Sequence, residues 1–214
     1  MSAADSLVDE IKEVMDGAPA SRRISILRDM TALFLDGAGL YSKQQIAIFG
    51  AVLIAITEHS ERDELIELGS KLAPIASAPP ALMRKLASNP DIKVSGALLQ
   101  QQCASLSDDD IAEIAATATP AQLQAIARRP EPGEGVTDAL INRGDIEILR
   151  KCVSNERARV SHVGFVKLIN AAKRDGTLTD MVASRQDLPA ELKPFIGMLL
   201  SQPASAGAKQ AATA

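Results

Sequence analysis

Residues 122–161 read QLQAIARRPEPGEGVTDALINRGDIEILRKCVSNERARVS, and the punctuation of this stretch decides the fold. Pro130, the turn-rich EPGEG loop and Gly144 cut it into short segments that carry apolar residues at helical spacing. Two of those segments end on similar phrases, IARRP at 126–130 and CVSNE at 152–156. Outward from here the same kind of phrase recurs as LASNP at 86–90 and VASRQ at 182–186, with intervals of 40, 26 and 30 residues. Each phrase runs from apolar or small residues into polar ones and then a turn, so each closes one helix before another short helix begins. A short helical pair cannot bury its apolar face alone and becomes stable by stacking on its neighbours, which predicts an α-solenoid of HEAT-like repeats.

The rest of the chain obeys the same period. Clear apolar stripes are Ile111, Ile114, Ala115 and Ala118; Phe165, Leu168, Ile169 and Ala172; and Leu192, Phe195, Ile196 and Leu199. Ser42, Ser107, Thr119 (before Pro120) and Ser161 stand where N-caps belong. Gly37, Gly39, Asn89–Pro90, Pro130, Gly144 and Gly176 stand as stops. These signals predict helices at 4–16, 20–36, 42–58, 61–73, 79–88, 91–103, 107–118, 120–129, 134–143, 145–154, 161–173, 176–184 and 188–201. The helix over 42–58, which includes IAIFGAVLIAI, is apolar on nearly every side and must be surrounded. The expected fold is therefore all-α, with an N-terminal four-helix bundle over 1–73 packed on a HEAT-like α-solenoid over 74–201. Residues 202–214, PASAGAKQAATA after Gln202, are small and polar and are expected to form a disordered tail.

Several longer phrases resemble a known family. LAPIASAPPALMRKLASNPDIKVSGALL at 72–99, LSDDDIAEIA at 106–115, the 122–161 stretch and SRQDLP at 184–189 together resemble an uncharacterised, largely alphaproteobacterial, DUF2336-like family with HEAT-like helical repeats. The resemblance covers roughly residues 60 to 190, with a weaker likeness near Thr31 to Leu35. It implies a helical-repeat fold in a bacterial setting and supplies no site residues.

Composition narrows the function classes. Of 214 residues 46% are hydrophobic but only 2% aromatic, so aliphatic side chains must build the core, which favours helix on helix. A net charge of −4 argues against a surface built throughout to coat nucleic acid. Cys103 and Cys152 have no CxxC spacing and read as small core hydrophobes in a reducing cytoplasm. The most apolar run, Ile46 to Ile56, is about half the roughly 20 residues that cross a bilayer, so no membrane association is expected.

Catalytic and metal motifs are weak. His59 and His162 lack partners at metal-ligand spacing, although His59 in TEHSERDEL is a conceivable phosphoacceptor. The run Ser107-Asp108-Asp109-Asp110 opens a helix, where its carboxylates complement the macrodipole. EPGEG lacks the glycine order of a phosphate cradle. The chain is thus expected to be no enzyme and to need neither cofactor nor metal. Charge is more informative: residues 122–174 hold ten Lys or Arg against six Asp or Glu, whereas 1–121 hold ten against seventeen. Arg128, Arg129, Arg143, Arg150, Lys151, Arg157 and Arg159 form a candidate partner-binding basic edge, unless their place near helix ends is only capping. The leading expectation is a non-catalytic scaffold or adaptor for a protein partner; the alternative is nucleic-acid or other polyanion binding through 122–174.

Overall fold

The computed structural model, which describes residues 3–201, has thirteen α-helices, several of which begin where a side-chain oxygen closes them, while Pro19, Pro79 and Gly133 open theirs without one. The first four are α1 (Ala3–Gly17), α2 (Ala20–Gly37), α3 (Lys43–Thr57) and α4 (Arg62–Leu72). Then follow α5 (Pro80–Ala87), α6 (Ile92–Gln100), α7 (Asp108–Thr117) and α8 (Pro120–Ile126). The last five are α9 (Glu134–Arg143), α10 (Ile146–Ser154), α11 (His162–Ala172), α12 (Gly176–Ala183) and α13 (Lys193–Ser201), the last preceded by a 3₁₀ turn at Ala190–Leu192. Among the described residues there is no strand. The tail expected at 202–214 lies outside the described residues.

The caps are where the sequence puts them. Ser42, Ser107 and Thr119 each accept from the backbone three residues on while Gln45, Asp110 and Gln122 reach back, which forms reciprocal capping boxes. Ser161 Oγ accepts from the Gly164 amide at 2.9 Å. Gly144 closes α9 at φ 70°, a left-handed conformation that a side chain resists. Gly176, read as a stop, serves instead as the start of the helix expected over 176–184. It is the first residue of α12, capped by Asp175, while α11 has already ended at Ala172.

Contacts divide the chain into two units, Met1–Arg129 and Pro130–Ala214. Within the first, α3 is enclosed by α1, α2 and α5, as its all-round apolarity requires. Val52, Leu53 and Ile56 are buried, and Phe34, Tyr41 and Phe49 form an aromatic cluster with centroids 4.9–6.0 Å apart. Gly50 lets α3 approach α5, since a Cβ there would stand 2.9 Å from Pro79 Cβ. Successive helices then stack in solenoid fashion, α3 on α5 in one row and α4 on α6 on α8 in the other. Within the second unit α9, α11 and α13 form one row and α10 and α12 the other. Its core gathers Leu149, Val153, Phe165, Leu168, Leu178 and Val182.

The repeated phrases have a structural counterpart at the helix ends. Asn89 and Asn155 occupy the same place in LASNP and CVSNE, and each accepts with Oδ1 from the amide two residues on, at 2.9 and 3.1 Å. Arg129 and Arg185 occupy that place in IARRP and VASRQ, and both side chains are buried. Arg129 Nη1 donates to the Leu99 and Gln101 carbonyls at 2.9 and 2.8 Å. This capture ends α6 at Gln100, with Gln101 already extended at ψ 155°, three residues short of the end expected from the sequence. Arg185 donates to the Val153 and Asn155 carbonyls through Nη1 (3.1 and 2.9 Å) and to Ala158 through Nη2 (2.8 Å). Buried Gln122 does the same for α5, donating to the Asn89 carbonyl at 2.9 Å. Terminal helix carbonyls that would be left without partners on burial are thus satisfied by a side chain from the next layer.

Candidate interaction surface

In the second unit an apolar groove opens between α11 and α13, with a volume of about 460 Å³. α11 and its C-cap contribute Val166, Ile169 and Lys173 at helical spacing, and the facing wall is Leu192, Phe195 and Met198. Ile169 and Leu192 are buried floor residues, whereas Phe195 is 53% and Met198 57% exposed. Exposed Phe195 stands out in a chain with four Phe and one Tyr, because Phe34 and Phe165 are fully buried and Phe49 and Tyr41 are half-buried. Among the described residues Lys173 is the only charged one lining the groove, and its Nζ donates to Asn170 Oδ1 at 2.9 Å. The sequence carries a signal for this face. PFIGMLL at 194–200 holds more large apolar residues than the single stripe Leu192, Phe195, Ile196 and Leu199 can account for, and the excess residues Met198 and Leu200 are exposed, as is Phe195 of the stripe.

The seven residues of the expected basic edge separate by environment. Arg128 and Arg129 belong to the first unit and the other five to the second. Arg129 is 3% exposed and serves the end of α6. Burial pulls its guanidinium below its usual value, and Asp108 and Cys103 work in the other direction. Arg150 bridges Glu147 at 2.7 Å and Asp175 at 2.6 Å, and Arg157 bridges Glu131 at 2.9 Å. Lys151 is half-buried, and Arg128, Arg143 and Arg159 are exposed. Arg185, which lies outside the 122–174 window, was not among the sequence candidates; its shared position with Arg129 in the repeated phrase is the signal that finds it.

Asp175 and Asp91 are parallel features of the two units. Each caps a helix and pairs with an arginine one helix earlier in its row, Asp175 with Arg150 and Asp91 with Arg62. The Leu178 amide, and after it the Arg150 guanidinium, holds the Asp175 carboxyl below the usual carboxylate range. For Asp91 the Lys93 amide leads and Arg62 follows, in the same direction.

The remaining candidates are structural in placement. Cys103 and Cys152 are buried free thiols, and burial pushes Cys152 up to about 12. His59 is half-buried with Nε2 3.7 Å from an Asp16 oxygen, and His162 is exposed in the first turn of α11. Asp110 of the acidic run closes the capping box and bridges Arg84 at 3.2 Å. Among the described residues no group of three or more His, Cys, Asp or Glu side chains could hold a metal ion. Among them, too, no helix is long and apolar enough to cross a membrane.

No curated protein and no solved structure matches the chain. One family does, described as an uncharacterised protein conserved in bacteria (DUF2336), and its match spans residues 78–193. That span runs from just before α5 to the first residue of α13 and takes in all four repeated phrases. The all-helical chain with its stacked short helices therefore belongs to the bacterial DUF2336 family.

Proposed function

We propose that this chain is a non-catalytic protein-interaction module, a scaffold or adaptor working in the reducing cytoplasm. The observation that carries this is the exposed apolar surface of the second unit, where Val166, Phe195 and Met198 stand in solvent around a groove floored by Ile169 and Leu192. Contiguous apolar surface of this kind is characteristic of binding faces, whereas scattered single apolar residues are not. Stacked short helices also present extended surfaces with little cost in ordering on binding.

Site-specific photo-crosslinking in the native host tests it, with the crosslinker placed in turn at exposed Leu33 and Leu40 of the first unit and Val166 and Phe195 of the second. A protein adduct of one identity, followed by saturable binding of the two purified proteins, is the expected result. No adduct at any of these positions overturns the reading.

Polyanion binding through the basic 122–174 region is the second reading, supported by the exposure of Arg128, Arg143 and Arg159. It predicts affinity that falls steeply with salt. The geometry favours the apolar groove, because Arg129 is engaged inside its own unit and Arg150 and Arg157 already hold carboxylates.

A further inference from the structure

We infer that the α11/α13 groove is the docking site for an amphipathic helix of a partner protein whose apolar stripe is flanked by acidic side chains; the assignment rests on the protein-interaction reading of the fold. Three observations define the occupant. The first is shape. The groove runs between α11, of 11 residues, and α13, of 9, so at 1.5 Å per residue it is about 14–16 Å long and accepts roughly three turns of helix. Val166, Ile169 and Lys173 on one wall and Leu192, Phe195 and Met198 on the other repeat at three- and four-residue steps, the ridge spacing that a third helix interdigitates with.

The second observation is chemistry. A buried floor of Ile169 and Leu192 with exposed Phe195 and Met198 at the rim calls for large apolar side chains on the ligand, and a methionine and an unpinned phenylalanine can adapt to several of them. Backbone recognition is not offered: Asn170 and Lys173 are the polar residues of the lining, and they bond to one another.

The third is charge. From His162 to Arg174 the chain carries Lys173 and Arg174 and no carboxylate, while Lys167 donates to Asn142 of α9. Across the groove, residues 190–201 add Lys193 and a single acid, Glu191. Lys173 lies within the lining itself. Lys173 in the lining, with no carboxylate on its own helix, selects an acidic flank on the ligand and disfavours a two-fold pairing of this face with a second copy, which would set like charges against each other.

The experiment uses the full chain and a fluorescent designed peptide: a helical 16-mer with leucines at i, i+3, i+4 and i+7 steps and glutamates on both flanks, alongside its lysine-flanked counterpart. Anisotropy titration should favour the acidic peptide by about tenfold or more at low salt. Phe195→Asp and Met198→Glu should each weaken it by about tenfold, and Lys173→Glu should reduce or reverse the preference between the two peptides. All three positions are exposed, and circular dichroism verifies that each variant keeps its helix content. Equal binding of the two peptides, no saturable binding, or binding indifferent to Phe195→Asp overturns the assignment. So does a concentration-dependent dimer in sedimentation equilibrium that Phe195→Asp abolishes, which would give the groove to a second copy. Crosslinked partners at Leu33 or Leu40 with no peptide binding would leave the scaffold reading standing and remove the groove.

Discussion

Arg129 in the first unit and Arg185 in the second hold the same position in their repeated phrases and do the same work with different support. Arg129 is followed by Pro130, and its Nη1 serves two carbonyls at the end of α6. Arg185 serves three carbonyls at and beyond the end of α10, is held by Asp187 at 2.8 Å through Nε and 2.7 Å through Nη2, and lies 5.9 Å from the Phe165 ring centroid. A buried guanidinium is costly to desolvate, and hydrogen bonds to its donors offset that cost. The difference teaches that the repeat specifies a job, closing the helix of the previous layer, and leaves each unit to balance the charge in its own way.

The sharpest way to break the comparison is Arg185→Met, which keeps the apolar stem and removes the donors. Losing the donors strands the carbonyls of Val153 and Ala158 in the interior, and the loss of unfolding free energy should be about 3–5 kcal/mol. Arg129→Met removes the bonds to the Leu99 and Gln101 carbonyls and should cost about 2–3 kcal/mol. Urea unfolding followed by circular dichroism measures both. If Arg129→Met proves the costlier of the two, the Asp187 pairing of Arg185 is not what stabilises it.

The capped aspartates sharpen the comparison through pH. Both Asp175 and Asp91 titrate below their ordinary value of 3.8 in the folded chain. A carboxyl depressed by folding contributes stability that is fully present above its unfolded pKa and disappears as pH falls through the folded one. Both units should therefore lose stability as pH drops below about 3.8, and Asp175→Asn and Asp91→Asn should flatten that decline by lowering stability at pH 7 toward its low-pH level. Asp175→Ala, which also removes the cap of α12, should cost about 1 kcal/mol at neutral pH. Thermal melts between pH 2.5 and 7 check the sign; a decline undiminished in the Asn variants would show that other carboxylates control it.

Much of this fold was legible in the chain. Helical period located all thirteen helices, and Ser42, Ser107, Thr119 and Ser161 cap helices as read, because capping is local chemistry visible within four residues. Helix ends were less legible where the cause lies far away: α6 stops at Gln100 because a guanidinium 28 residues beyond Gln101 takes its last carbonyls. Gly176 reads both as a stop and as the start of the helix over 176–184, because glycine serves either end, and the Asp175 cap beside it makes it a start. The groove was least legible. The stripe Leu192, Phe195, Ile196 and Leu199 reads as one buried face, yet Phe195 points out while Ile196 is buried, and only the packing of α13 against α11 and α12 separates them.

Arg128 provides the smallest expected effect and the cleanest control. It adjoins Arg129 in IARRP, and a count of positive charge weighs the two alike. In the fold Arg128 is exposed and Arg129 is 3% exposed, because the turn after α8 directs consecutive side chains to opposite surroundings. Arg128→Ala should change unfolding free energy by no more than about 0.5 kcal/mol, several times less than the substitution next to it. The same variant isolates the electrostatic question: if the polyanion reading holds, Arg128→Ala lowers affinity and the slope of its salt dependence without touching stability. A stability loss comparable to that of Arg129→Met would mean that the helix-end device uses both arginines, and that the alternation of buried and exposed side chains in the repeated phrase does not describe how this junction is held.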